Sequence, residues 1–498
     1  LIIGELMSAK DVKYQLFMES PHTHLIDIQM DIDGLNGDYA DFYMPVWTPG
    51  SYLVRDYSRN IMSISAEYKG KPLTVSKMNK NIWRVNLEDH HKITVYYQVY
   101  AFDLTVRTSF MDEDFTLLNG ASVFLFPVGF ENRTIRVKIE PYYKWEKTNT
   151  ELPNYKGNYN EFVANDLDQL IDCPILVGNQ QTYTFSASGV PHIYAVTDTG
   201  NYDMEKIISD TKTIVETANS IFDDVPYDHY TFFLNTADGA YGGLEHMNST
   251  CLIFDRWKFE DRKDYLKFMG LVSHEFFHVY NVKRIRPSEL GPFDYHGENY
   301  TELLWVSEGL NSYYDNYLLR RAEIASVEEY LGFLATDLKR LEGIPGRHVQ
   351  SVAESSFDAW IKLYKPDENS INSTVSYYLK GSIIGLILDL KIRQHTGGSK
   401  NLDDVFVELW KDYRKSGEGF TKEQFITTCE DICGNDLHDI WHYVHSTDEI
   451  PINDYLAPHG LRLNQSYEDE TSIDDSWFGI TVNKDMKITK LISNGPGY

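Results

Sequence analysis

Apolar and polar residues alternate through the first third of the chain. Ile26, Ile28, Met30 and Ile32 take every second position, as do Ile93, Val95, Tyr97 and Val99, and then Ile135, Val137 and Ile139. Successive side chains of a strand point to opposite faces, so a period of two marks strands with one face in a core and the other in water. With Gly, Asn and Asp turns between these runs, residues 12 to about 170 predict an antiparallel β domain. The segment PVWTPGSYLVRDY (45–57) breaks the alternation. Its two prolines and glycine predict a rigid aromatic loop.

After about residue 175 the period lengthens. Met204, Ile207, Ile208, Ile214, Val215, Ala218, Ile221 and Phe222 have the spacing of one helix face. YTFFLN (230–235) predicts a short strand. YGGLEHMNSTCLIF (241–254) predicts a glycine-bearing turn or edge strand that leads into another strand. From about 262 to 455 the pattern is mainly helical, and Ser326 with Glu329 is a capping-box signature for a helix ending near Gly343. Residues 456–475 are polar and acidic, as in a linker, and WFGITVNKDMKITKLISNGPGY (477–498) alternates again. The fold class expected is multidomain α+β.

Length and charge narrow the function. A chain of 498 residues is too long for one core, so several domains are expected. With 42% hydrophobic and 14% aromatic residues it has the composition of a packed globular protein. A formal net charge of −28 repels phosphate backbones and anionic lipid, so no nucleic-acid partner is expected; cationic ligands, such as a free peptide amine, are favoured. No apolar run is long enough to predict a membrane span. The four cysteines, Cys173, Cys251, Cys429 and Cys433, contain no C-x-x-C pair and predict packing rather than a disulfide framework. The compartment stays open between bacterial periplasm, secretion and cytoplasm, as does the oligomeric state. The opening LIIGELMSAK reads either as appended residues or as the new N-terminus left by removal of a signal peptide.

The chemistry concentrates in LVSHEFFHVY (271–280). Tyr265, Leu266, Met269, Val272, Phe276 and Phe277 supply a broad apolar helix face, with Pro287 expected to end the helix. On that helix His274 and His278 lie one turn apart on the same side. Two such imidazoles can bind one tetrahedral Zn²⁺, with Glu275 beside the metal's water and not a ligand. The bland alternative is two core histidines with satisfied hydrogen bonds. A zinc site needs a third ligand, and LLWVSEGLNSYYDNYLL (303–319) offers Glu308 among apolar helical neighbours, where an unpaired carboxylate would be costly. Glu302 competes, although the helix dipole alone would explain an acid at a helix start.

H-E-x-x-H followed by a helical x-E-G resembles the gluzincin peptidases, and a β-rich lobe followed by an α-rich one resembles the order of thermolysin-like enzymes. GGLEH (242–246) is similar to the exopeptidase motif of zinc aminopeptidases. That resemblance implies Glu245, with Gly242 and Gly243, as the site of the substrate's free α-amine. YYLKG (377–381) resembles the Tyr-x-Lys-Gly motif of the same clan and implies Tyr378 as the oxyanion-stabilising hydroxyl, with Tyr377 the adjacent alternative.

Along nearly its whole length the chain resembles the glycyl aminopeptidase family, whose P-x-W-x-P-G-S-Y segment corresponds to Pro45–Tyr52. The resemblance implies an N-terminal β-sandwich-like domain (1–172), a thermolysin-like zinc peptidase domain (173–458), and a linker with the start of a PDZ-like module (459–498). It implies one Zn²⁺ per chain, a peptide substrate with a free N-terminus, and removal of small N-terminal residues, Gly before Ala. An endopeptidase with the same site and a non-catalytic peptide-binding protein are the alternatives. The 30-position gap from His278 to Glu308 is longer than in leukotriene-hydrolase-type members, and its extra segment (283–302) is expected to form a loop near the cleft. Lys283, Arg284 and Arg286 either meet substrate or complement the end of the zinc helix. Trp47 and Tyr52 are expected to pack, and His246 to be a structural neighbour of Glu245.

Overall fold

The computed structural model describes residues 11–464, 479–483 and 487–493. The opening LIIGELMSAK and most of the expected linker lie outside the described residues, as do parts of the last alternating stretch. The chain forms two compact units.

The first unit takes the residues up to Ile208, with Tyr227–Phe268 and Phe293–Glu298. Its largest sheet has seven strands, in the spatial order Glu161–Ala164, Ile135–Glu140, Val12–Phe17, Leu25–Asp33, Lys92–Tyr100, Ile61–Tyr68 and Lys71–Leu73. The alternating residues share one buried face. Ile26, Ile28, Met30 and Ile32 pair with Val99, Tyr97, Val95 and Ile93, and none of the eight is more than 2% exposed. One pair departs from the antiparallel expectation: Val12–Phe17 runs parallel to Ile135–Glu140. Parallel neighbours need a long connection, and a local alternation is the same whichever way the partner runs.

A five-stranded sheet comes next, in the order Gln181–Ala187, Val190–Val196, Tyr230–Thr236, Ser249–Phe254, Tyr241–Glu245. Tyr230–Thr236 is parallel to both neighbours and buried throughout, which is why it reads as a continuous apolar run. The glycine-bearing segment forms the edge strand Tyr241–Glu245. Trp47 and Tyr52 are buried with their rings stacked 6.3 Å apart, and the Trp47 indole donates to the Asp294 carbonyl over 2.7 Å. The aromatic loop is therefore packed into this unit.

The second unit takes Ser209–Pro226, Met269–Pro292 and the chain from Asn299. Helix Tyr377–His395 runs through its interior and is buried on nearly every side, as an all-round apolar helix must be. Its buried Asp389 accepts from the Tyr313 hydroxyl, the Leu402 amide and the Arg393 guanidinium. Helix Val327–Glu342 starts at Ser326 with the reciprocal Ser326–Glu329 capping box. All four cysteines are buried, and none is in a disulfide. Ile480–Val482 and Ile488–Leu491 pair antiparallel. No helix among the described residues is long and apolar enough to cross a membrane.

The helix carrying HEFFH is shorter than expected. It spans Arg262–Phe277 and does not run on to Pro287. After Phe277 the backbone tightens to i→i+3 bonds, with the Val279 amide on the Phe276 carbonyl and the Tyr280 amide on the Phe277 carbonyl. The Arg284 guanidinium then donates to the Val279 carbonyl over 2.8 Å. The last helical carbonyls are taken by amides of the turn that follows, the Asn281 amide also reaching the Phe277 carbonyl over 3.2 Å, so no proline is needed to stop the helix.

Candidate metal centre

In the second unit, His274 to Phe277 close the helix Arg262–Phe277, and His278 follows directly in the turn after it. Burial of Met269, Val272, Phe276 and Phe277 sets the helix's rotation. With that face turned inward, the His274 and His278 rings come to 4.7 Å from each other. Across from them the chain forms a π-helical turn, Trp305–Gly309, before continuing as helix Leu310–Arg321. A π turn widens one helical turn and re-aims its side chains. Here the Glu308 carboxylate oxygen Oε2 stands 3.4 Å from His274 Nε2 and 3.3 Å from His278 Nε2. Tetrahedral zinc with bonds of roughly 2.0–2.1 Å spaces its ligand atoms about 3.3 Å apart. The two imidazoles and the carboxylate therefore fit that ion in donor type and in spacing. Glu302 is differently employed: it pairs with Lys422 over 2.8 Å.

The outward-facing ring nitrogens are also held. His278 Nδ1 lies 2.7 Å from the Asn281 carbonyl, which only accepts, so Nδ1 is the donor there and Nε2 is the nitrogen turned toward Glu308. His274 Nδ1 faces Asp315 Oδ2 at 3.6 Å. Burial disfavours the Glu308 carboxylate, but His278 and His274 beside it hold its pKa down to about 2. Burial likewise opposes charge on His274, yet Asp315, Glu308 and Glu275 reverse this and raise its pKa well above the usual range. Carboxylates predominate around the two rings, and the cluster calls for a positive charge.

Two asparagines brace the cluster. The Asn281 amide nitrogen donates to the Val306 and Ser307 carbonyls and to Asn311 Oδ1, at 2.9, 3.2 and 2.9 Å. Asn311 in turn donates to the His274 carbonyl over 3.1 Å. Glu275 follows His274 directly and is 5% exposed. Tyr378 sits in the first turn of helix Tyr377–His395, capped by Ser376. Its ring centre is 6.2 Å from that of His274, and its hydroxyl is 3.1 Å from that of Tyr364. Tyr377 is fully buried and stacks on Tyr378 at 4.7 Å.

In the first unit, Glu245 ends the edge strand and is 4% exposed. The aromatic loop reaches it through Gly50, whose φ is +84°; a Cβ there would lie 2.5 Å from both Glu245 carboxylate oxygens. Gly242 and Gly243 precede Glu245 on the same strand, and the Gly243 carbonyl accepts from Arg107 over 3.4 Å. His246 Nδ1 faces Asp172 at 3.5 Å, a structural contact.

Sequence reasoning missed Asp315, Asn281, Asn311, Tyr364 and the contact of Gly50 with Glu245. Asp315, two turns beyond Glu308, could have been found from helical spacing. Asn281 acts through a backbone carbonyl and a side-chain amide, which leave no pattern.

Residues 13–179 match the peptidase M61 N-terminal domain, and residues 267–384 match the M61 glycyl aminopeptidase domain. Comparison with curated protein sequences gives no match. Among solved structures, an aminopeptidase N family protein from Idiomarina loihiensis superposes with a TM-score of 0.91 at 32% identity, covering 97% of this chain and 86% of that one. Aminopeptidase A from Legionella pneumophila (TM-score 0.54, 13% identity, covering 88% of this chain and 49% of that one) shares the fold. So does the M1 zinc metallopeptidase from Deinococcus radiodurans (0.54, 10% identity, covering 89% and 95%). Two M61 domains in their order along the chain, and a near full-length relative, bring the sequence and the fold to one conclusion: this chain belongs to the M61 family and is a peptidase.

Proposed function

We propose that this chain is a zinc-dependent aminopeptidase that hydrolyses the N-terminal bond of peptides, preferring glycine and then alanine. The observation that carries the reading is the placement of Glu308 Oε2 at 3.4 and 3.3 Å from the two histidine nitrogens. His274, His278 and Glu308 would hold one Zn²⁺, which supplies a Lewis acid and acidifies a bound water toward neutral pH.

The chain's own residues divide the remaining work. Glu275 takes a proton from the attacking water and returns it to the nitrogen of the leaving amine. The Tyr378 hydroxyl donates to the oxygen that gains charge as the carbonyl carbon becomes tetrahedral. Glu245 pairs with the substrate's α-ammonium, aided by the backbone at Gly242 and Gly243, so the bond after the first residue is cut. An acylated terminus would leave a buried carboxylate without its cation and is rejected for that reason. The preference for small residues rests on the family resemblance. The domain limits 1–172, 173–458 and 459–498 belong to the same proposal, with the last taken as the start of a PDZ-like module that binds peptide ends by strand addition.

Gly-Ala-Phe-Leu, free and N-acetylated, tests the reading when incubated with zinc-loaded protein and with Glu275→Gln. Release of glycine from the free peptide alone, abolished in the variant, is expected. Internal cleavage of both forms would make the protein an endopeptidase. No cleavage at full zinc content would leave a peptide-binding protein.

A further inference from the structure

Tyr378 is not alone. The hydroxyl of Tyr364 stands 3.1 Å from its own, within hydrogen-bond distance. The two tyrosines come from different elements. Tyr378 opens the helix Tyr377–His395, and Tyr364 lies in the irregular segment after the short helix Val352–Phe357. We propose that Tyr364 is the positioning residue for Tyr378, orienting and polarising the hydroxyl that stabilises the oxyanion. The proposal rests on the aminopeptidase reading above.

A phenol has one hydrogen to give and lone pairs to accept with. In a pair of phenols one hydroxyl donates to the other. When Tyr378 donates to Tyr364, its hydrogen is withdrawn from the reaction. When Tyr364 donates, the Tyr378 hydrogen is free to turn toward the His274 side, where its ring already faces the imidazole at 6.2 Å. Accepting a hydrogen bond also makes a hydroxyl a stronger donor, since chained hydrogen bonds polarise one another. Charge growing on the substrate oxygen rewards the second arrangement, so the benefit of Tyr364 appears in the transition state and not in substrate binding.

The test is a double-mutant cycle on the zinc-loaded full chain with Gly-Ala-Phe-Leu. Tyr378→Phe is expected to lower kcat roughly 100-fold, the usual effect of removing one oxyanion donor. Tyr364→Phe is expected to lower kcat about 10-fold, the size of one net hydrogen bond, with KM and melting temperature unchanged. The double variant should match Tyr378→Phe, because without its hydroxyl there is nothing left to orient. A phosphinic analogue of the tetrahedral state should lose affinity for Tyr364→Phe in step with kcat. Losses that multiply in the double variant would overturn the proposal, as would a Tyr364→Phe enzyme at full rate while Tyr378→Phe is slow. A wild-type protein that leaves the peptide intact would instead overturn the aminopeptidase reading, and this proposal with it.

Discussion

Gly309 and Gly381 touch backbone to backbone: a Cβ on Gly309 would lie 2.6 Å from the Gly381 Cα, and one on Gly381 would lie 2.8 Å from the Gly309 Cα. These are the last residues of W-V-S-E-G and Y-Y-L-K-G. The π turn that carries Glu308 and the helix that carries Tyr378 meet at their glycines, and neither position leaves room for a methyl group. Gly309→Ala or Gly381→Ala should cost about 1–3 kcal/mol through overpacking, and should lower zinc affinity by moving Glu308. Gly332→Ala is the control. Gly332 is exposed in helix Val327–Glu342 with nothing within 4 Å of an added Cβ, so alanine there should stabilise by roughly 0.5–1 kcal/mol. Urea denaturation of the three variants, with zinc content measured alongside, checks the contrast.

Asn281→Ala keeps the backbone carbonyl that holds His278 Nδ1 but removes the amide that ties it to Val306, Ser307 and Asn311. The expected result is zinc binding about 10–100-fold weaker, the usual effect of losing a group that orients a ligand. Competition with a chromogenic chelator measures it directly, without reference to turnover. Unchanged affinity would mean that the π turn holds Glu308 without this brace.

Gly50→Ala places a methyl group where the Glu245 carboxylate now lies, at a φ of +84° that alanine adopts only with strain. The carboxylate must move. KM for Gly-Ala-Phe-Leu should rise about tenfold, equivalent to about 1.4 kcal/mol of lost binding, with a smaller change in kcat. Steady-state kinetics that leave KM unaltered would separate Glu245 from amine binding.

His192 gives an acid limb to stability. It is fully buried between the Val190 carbonyl and the Tyr227 hydroxyl, and burial lowers its pKa from 6.5 to about 4. Between those values the unfolded chain binds a proton that the folded chain does not. Stability present above pH 6.5 is therefore lost as the pH falls toward 4, by about 1.4 kcal/mol per pH unit at most and by roughly 3 kcal/mol in all. Denaturation of His192→Gln at pH 7, 6, 5 and 4.5 should show a flatter acid limb than the wild type. A parallel decline in both proteins would assign the limb to other groups.

The residues themselves determined most strands and helices and supplied the candidates for the metal centre. Alternation at Ile26–Ile32 and at Ile93–Val99 is a local consequence of the pleat, so it is written in the chain. So is the four-residue spacing of His274 and His278, which any helix places on one face. Glu308 was legible because a carboxylate among apolar neighbours demands a partner. Tertiary structure alone decided which strands run parallel, since the partner of Val12–Phe17 lies far along the chain. It alone ended the helix Arg262–Phe277 short of Pro287, and put Asn281, Asn311 and Tyr364 beside residues brought by other segments. The division has a physical reason. Periodicity reports which face of an element is buried, whereas a hydrogen bond or a glycine contact depends on what another element brings to that face.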